Sequence, residues 1–397
     1  VNKQPFNIRE KLSELERPIG VKGNELMGAE TAQDARDLVS AGRKNMIING
    51  DMRIDQRYGG SPRDIAGGTN EYVVDRFIFR DSISTSLRVQ RNALSASTDP
   101  PGFRYAVKMS CLGSDTSISG TEYARIQQYI ETNNLKCDWG IQNTDYLTLS
   151  FWVKSSVPGK YYVNLEDGDA SPLYLKPYYI NQADTWQKVE LTYPPPPSGS
   201  WTTSADNGIG MRITWSLVIG SNYVSGLDEG WTTSYHMAGP GQVNFAAATG
   251  NAFWLTGVQL ERGRNATEFE HRSYGEELAL CQRYYEKFSA DDNNGGYATL
   301  CGGGKSTNTV IVLQPVFRVP KRDIGATMSY GGSFRFGGVA GVYGVTITGQ
   351  MNAQLGIHGG YIVMTISSAS NPPNNTDGYR FEGNGDTNAY IAFSSEL

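Results

Sequence analysis

Few side chains in this sequence are arranged to do chemistry. The three histidines, His236, His271 and His358, are far apart and fit no HExxH, GxSxG or metal-ligand spacing, so a histidine-centred active site is not expected. CGGGKST at residues 301–307 would cradle a phosphate only with a glycine at position 299, which holds Thr299; the stretch reads instead as a flexible Gly-rich connection. Acidic groups stand in EDGDA (166–170), LDEG (227–230), DDNN (291–294) and NGDTN (384–388). Carboxylates about 5 to 10 Å apart could hydrolyse a glycoside, with Asp167 and Asp169 the first to consider. Their oxygens could also suit a structural Ca²⁺, although no EF-hand or nonapeptide spacing indicates one, and short Asp/Asn turns need no further role. No catalytic residue, metal ligand or cofactor is assigned, and the chain reads as a non-enzyme. The four cysteines, Cys111, Cys137, Cys281 and Cys301, lack CxxC spacing and read as reduced, buried thiols.

Aromatic side chains are the better lead. Trp139, Trp201, Trp231 and Tyr235 stand in loop-like stretches, while Tyr178 and Tyr179 crowd the segment PLYLKPYY. A ring beside Asn, Asp or Ser can stack on a sugar face while its polar neighbours take the hydroxyls, which suits weak, multivalent recognition. These six are the candidate glycan-binding residues, although for each alone core packing or strand pairing is the plainer role.

The elements that must position these residues are mostly strands. Of 397 residues, 46 are Gly and 23 Tyr, with 39% hydrophobic and only 19% charged, a balance that favours many short strands and turns over surface helices. A net charge of −5 without a basic block argues against nucleic acid, and no apolar run of about 18 residues argues for membrane insertion. Residues 1–16 are polar and amphipathic, unlike a signal peptide. Residues 1–42 predict two short amphipathic helices, the first with Ile8, Leu12 and Leu15 on one face; at about ten residues each, they must dock on something to be stable. From residue 45 onward, segments such as MIING, YVVDRFIF, YARIQQYI, YLTLSFWV, MRITWSLVI and AFWLTGVQL predict a large two-sheet sandwich of the jelly-roll kind. Ser273 and Glu276 then predict a capping box. Tyr274, Leu278, Cys281, Tyr285 and Phe288 follow at spacings of four and three, a seam that could gather three chains or pack within one. Strand patterns beyond it predict a second, smaller β-sandwich. The expected organisation is a helical segment at 1–42, a jelly roll at 43–272, a linking helix at 273–289 and a C-terminal sandwich at 290–397.

Two stretches carry a family resemblance. KNMIINGDMRIDQR (44–57) resembles the opening, and WLTGVQLERGRNATEFEHRSYGEELALCQRYYEK (254–287) the exit, of carbohydrate-binding-module-like jelly rolls in bacteriophage tail and fibre proteins. The lead-in AETAQDARDLVSAGRKN and the terminus AYIAFSSEL are also similar to phage fibre chains. The resemblance implies a trimeric, non-enzymatic tail fibre made in the host cytoplasm and resident in the virion. Its N-terminus would dock on a tail nozzle, adaptor or baseplate protein, and its sandwiches would face host-surface polysaccharide. A capsid-decorating or head-fibre protein and a tailspike-like glycan depolymerase are the alternatives. The family's Ca²⁺ between first and last strands would fall on Asn49, Asp51 and Gln259, where Gln259 departs from the acidic residue expected.

Overall fold

The computed structural model describes residues 44–68, 70–135, 146–197, 201, 207–290, 299–307, 309–324, 326–338, 341–368 and 379–397. The expected helices of residues 1–42, with Ile8, Leu12 and Leu15, lie outside these, as does Trp139. Within them the protein is mainly β, with one α-helix among the described residues.

Two antiparallel sheets form the larger unit. One has six strands, in the order Arg63–Ala66, Ser86–Ala93, Tyr105–Cys111, Ala252–Arg262, Leu147–Ser155, Gln187–Tyr193. The other has eight: Gly230–Thr232, Leu173–Leu175, Gly159–Asp167, Ile209–Ile219, Tyr123–Glu131, Phe77–Asp81 and Asn70–Val74, with Pro177–Ile180 also pairing to Gly159–Asp167. The chain crosses repeatedly between the sheets, as the alternating segments predict for a jelly roll. Period-two alternation builds the core directly: in Leu147–Ser155, Leu147, Leu149, Phe151 and Val153 all point inward. Trp215 is fully buried at the centre, 5.9 Å from Phe151 and 6.3 Å from Phe77 between ring centroids. Each such ring contributes about 1.5–3 kcal/mol through burial alone.

Three local expectations are corrected. MIING makes no strand; Asn49 and Met52 adopt positive φ, and the Asn49 side chain bonds the backbone of Ile54 and Asp75 in place of a ladder. YVVDRFIF is two strands, because Arg76 turns the chain at φ 74°. The predicted flexible connection at residues 301–307 belongs to strand Thr299–Thr307, whose Gly302 and Gly303 pair on both sides with Val310–Gln314 and Tyr379–Gly383. Two ladders override the weak strand preference of glycine.

The predicted linking helix is shorter than its pattern. Ser273 caps it through the Glu276 N–H, but it runs only Tyr274–Gln282. Tyr284 then donates its N–H to the Cys281 carbonyl, its hydroxyl to Glu131, and the chain continues as strand Tyr285–Ser289. That strand, with Tyr390–Ser394 and Thr327–Gly331, forms a three-stranded sheet. Six further strands close into a barrel in the order Thr299–Thr307, Val310–Gln314, Gly359–Ser368, Gly341–Gly356, Phe334–Gly338, Tyr379–Gly383. Barrel and small sheet share one core, including Ile311, Leu313, Ile362, Phe381, Ile391 and Phe393. This is the smaller second β unit.

The two stretches that carry the resemblance interlock. Lys44 and Asn45 donate their backbone N–H groups to Glu270, both at 3.0 Å, and Met46 bonds Leu260 at 2.9 Å. Arg272 donates to the Ile47 and Asn45 carbonyls and pairs with Glu270 and Glu277, while Glu277 accepts the Asn49 N–H. The charged hook after Arg262 is therefore a clamp that holds the opening of the sandwich to its exit.

Candidate ligand-binding face

The outward face of the eight-stranded sheet is polar, and register makes it a grid. Arg125, Gln127 and Tyr129 stand beside Ser216, Thr214 and Arg212, which stand beside Tyr162, Asn164 and Glu166. Arg80 adjoins Arg125 on the far side. Alternation explains why these residues share a face: their neighbours Ile126, Ile213, Trp215, Val163 and Leu165 fill the core. A loop partly roofs the grid. The Met237 carbonyl accepts from Asn164 (2.8 Å) and Ser216 (2.6 Å), and Gln242 donates to the Ser216 carbonyl. Arg80 and Arg212 remain half-exposed.

Charges gather here without closing on one another. Glu166 is fully buried, yet neither of its oxygens has a hydrogen-bond partner. Burial raises its carboxyl; Arg125, the Thr214 hydroxyl, Arg212 and Arg80 offset only part of this. The Nε atoms of Arg80, Arg125 and Arg212 and the Oδ1 of Asn164 are likewise buried without partners. Such groups normally find a partner, and here they lie beneath the face, so a ligand would meet the accessible parts of Arg80 and Arg212 first. Tyrosines line the rim: Arg125 donates to the Tyr235 hydroxyl and lies 4.7 Å from the Tyr123 ring centroid, and Tyr223 packs edge-on against Tyr235 at 6.0 Å.

The candidate aromatics are divided by this geometry. Tyr178 is a core residue, stacked on Tyr161 at 5.7 Å, because strand alternation turns it inward and its neighbour Tyr179 outward. Trp201 is also buried, donating its ring N–H to the Gly210 carbonyl. Both are corrected from ligand contacts to packing. Trp231 is half-buried against the core beside Tyr174. Tyr179 and Tyr235 are exposed, and of the six only Tyr235 touches the polar grid among the described residues. The strand-borne polar set, Arg80, Arg125, Gln127, Glu166 and Arg212, escaped sequence reasoning. Its signal was polar residues at every second position in strands whose other face is apolar.

The seam is also corrected. Tyr274 is exposed, Leu278 is half-buried and Cys281 is buried against Tyr284, but Tyr285 and Phe288 stand on the following strand. The five do not form one helical stripe. Cys111, Cys281 and Cys301 are buried free thiols. Several carboxylates of the acidic turns are engaged locally: Asp167 accepts the Asp169 N–H, Asp228 pairs with Lys160, Glu229 with Lys176, and Asp386 takes the N–H groups of Ser333 and Asn388. Residues 291–294 lie outside the described set. Asn49 is turned to Ile54 and Asp75, Asp51 to Arg53, and Gln259 to Glu261 and Glu270, so these three do not converge as a cation site. Among the described residues no group of three or more His, Cys, Asp or Glu side chains is placed to hold a metal.

These features define a two-sheet β-sandwich joined to a smaller β unit. No family model matches the sequence, and no curated protein matches it. Comparison with solved structures aligns 55% of this chain with 21% of the enzymatically active domain of bacteriophage CBA120 tailspike protein 4, at 11% identity and a TM-score of 0.28. It aligns 56% of this chain with 100% of TmCBM61, solved in complex with β-1,4-galactotriose, at 11% identity and 0.28. A family 11 carbohydrate-binding module from Clostridium thermocellum is covered to 99% by 52% of this chain, at 11% identity and 0.24.

Proposed function

We propose that this chain is a non-enzymatic glycan-binding component of a phage virion appendage, built as a homotrimer, with the outward face of its eight-stranded sheet as the sugar site. The observation that carries the sugar reading is the polar sheet face with half-exposed Arg80 and Arg212, rimmed by Tyr123, Tyr223 and Tyr235. Sugar hydroxyls match a mixed donor and acceptor set, and planar rings give them an apolar face. The virion part is supported by the sequence resemblance of residues 44–57 and 254–287, two stretches that are in direct contact here. On this reading residues 1–42 attach to a tail nozzle, adaptor or baseplate protein, and host-surface polysaccharide is the ligand of the sandwich.

Glycan-array binding followed by calorimetry tests the site. Arg125→Ala and Tyr235→Ala should each weaken binding about ten-fold or more, the cost of removing a charge-assisted hydrogen bond or a stacking ring. Undiminished affinity in both folded variants would remove the sheet face as the site.

A further inference from the structure

A groove of about 580 Å³ lies between the two units. The turn around Tyr58 walls one side, and Lys287, Thr387, Asn388 and Tyr390 wall the other. Two cations stand over rings at its edges: Arg63 lies 4.8 Å from the Tyr58 ring centroid and Lys287 4.9 Å from that of Tyr390. Among the described residues neither Arg63 nor Lys287 has an ion-pair partner. The other charges of the groove are engaged. Asp55 accepts the N–H groups of Tyr58 and Gly60, and Arg57 pairs with Asp75 at 3.3 Å and Glu396 at 3.1 Å. The groove therefore offers two positive charges without ion-pair partners, of which Lys287 also donates to the Arg57 carbonyl at 3.4 Å, together with two ring faces and the exposed side chains of Thr387 and Asn388, in a protein whose net charge is −5.

We propose that this groove is a second binding site and that it takes an acidic sugar residue, with Arg63 and Lys287 receiving its carboxylate and Tyr58 or Tyr390 its ring face. A volume of this size accommodates one or two sugar rings. Guanidinium and ammonium groups favour carboxylate over hydroxyl through charge-assisted hydrogen bonds. The choice of a sugar over another carboxylate rests on the glycan-binding reading above, whereas the charge preference does not.

An NMR titration of the full chain with galacturonate, galactose and acetate at equal ionic strength tests this. Galacturonate should bind at least ten-fold tighter than galactose, and Arg63→Ala combined with Lys287→Ala should abolish that preference. Lys287→Glu, which keeps the side-chain bulk, should reverse it. Acetate competing as well as galacturonate would reduce the groove to a plain anion site and overturn the sugar assignment. Loss of the preference in Arg125→Ala would move acid recognition to the sheet face and overturn the groove. A chain that binds galactose and galacturonate alike through the sheet face sinks this proposal alone, while a chain that binds neither sinks the glycan reading with it.

Discussion

Asp75 shows how far one residue can depart from its pattern. It sits in the middle of YVVDRFIF, where alternation predicts a continuous strand, yet it is fully buried at a turn and accepts from Gln56 and Arg57. Burial raises its carboxyl from the ordinary 3.8 to about 6, with Arg57 opposing only in part. The sign follows from which state holds the proton. Below about pH 3.8 folded and unfolded chains are both protonated, and the contribution is whole; as pH rises from 3.8 through 6 the unfolded chain ionises first and that contribution is lost, on the order of 3 kcal/mol. Asp75→Asn cannot ionise. Urea midpoints between pH 4 and 7 should therefore fall in the native chain relative to the variant, and parallel curves would show that Asp75 does not titrate this way. The sheet-face residues were hidden for a related reason: Glu166 and Arg125 occupy positions that alternation assigns to an outer face, and only the loop through Met237 makes that face a partly closed one.

At the scale of elements, the helix after the hook illustrates what a periodic pattern leaves open. The cap at Ser273 was legible because one hydroxyl and the Glu276 N–H lie within a single turn. The end was not, because it depends on Glu131, a residue remote in sequence that binds Arg283 at 2.6 Å and Tyr284 at 2.7 Å. Tyr285 and Phe288 consequently pair with the last strand, and Cys281 packs against Tyr284. Most of the seam is thus spent inside the chain. If the protein is a trimer, the assembly drive falls to residues 1–42. Light scattering should find the full chain trimeric and a chain lacking residues 1–42 monomeric; a trimer of the shortened chain would return the drive to the β units and to exposed Tyr274.

At the scale of the whole molecule, the C-terminus ties the two units together. Glu396 pairs with Arg57 and Arg76, both nearly buried, and Arg76 lies over the Tyr284 ring at 3.5 Å and donates to the Tyr129 carbonyl. On the other side of the junction Lys321 and Glu286 form a fully buried pair at 2.6 Å. Removing one partner of a buried pair leaves the other charge without compensation. Glu396→Ala should cost about 3 kcal/mol and split a single calorimetric transition into two, one for each unit. A variant that melts in one transition at the native temperature would show that the pairs do not couple the units. By itself the sequence determined the β class, the sandwich strands, the helix cap and the two motifs of the clamp, because period two, capping and turn chemistry act between near neighbours. Only the tertiary structure decided that these motifs meet, that Tyr178 and Trp201 belong to the core, that the second unit closes as a barrel, and that a polar grid and a groove exist. Those features depend on strand register and on contacts between residues far apart in the chain, which no local pattern encodes.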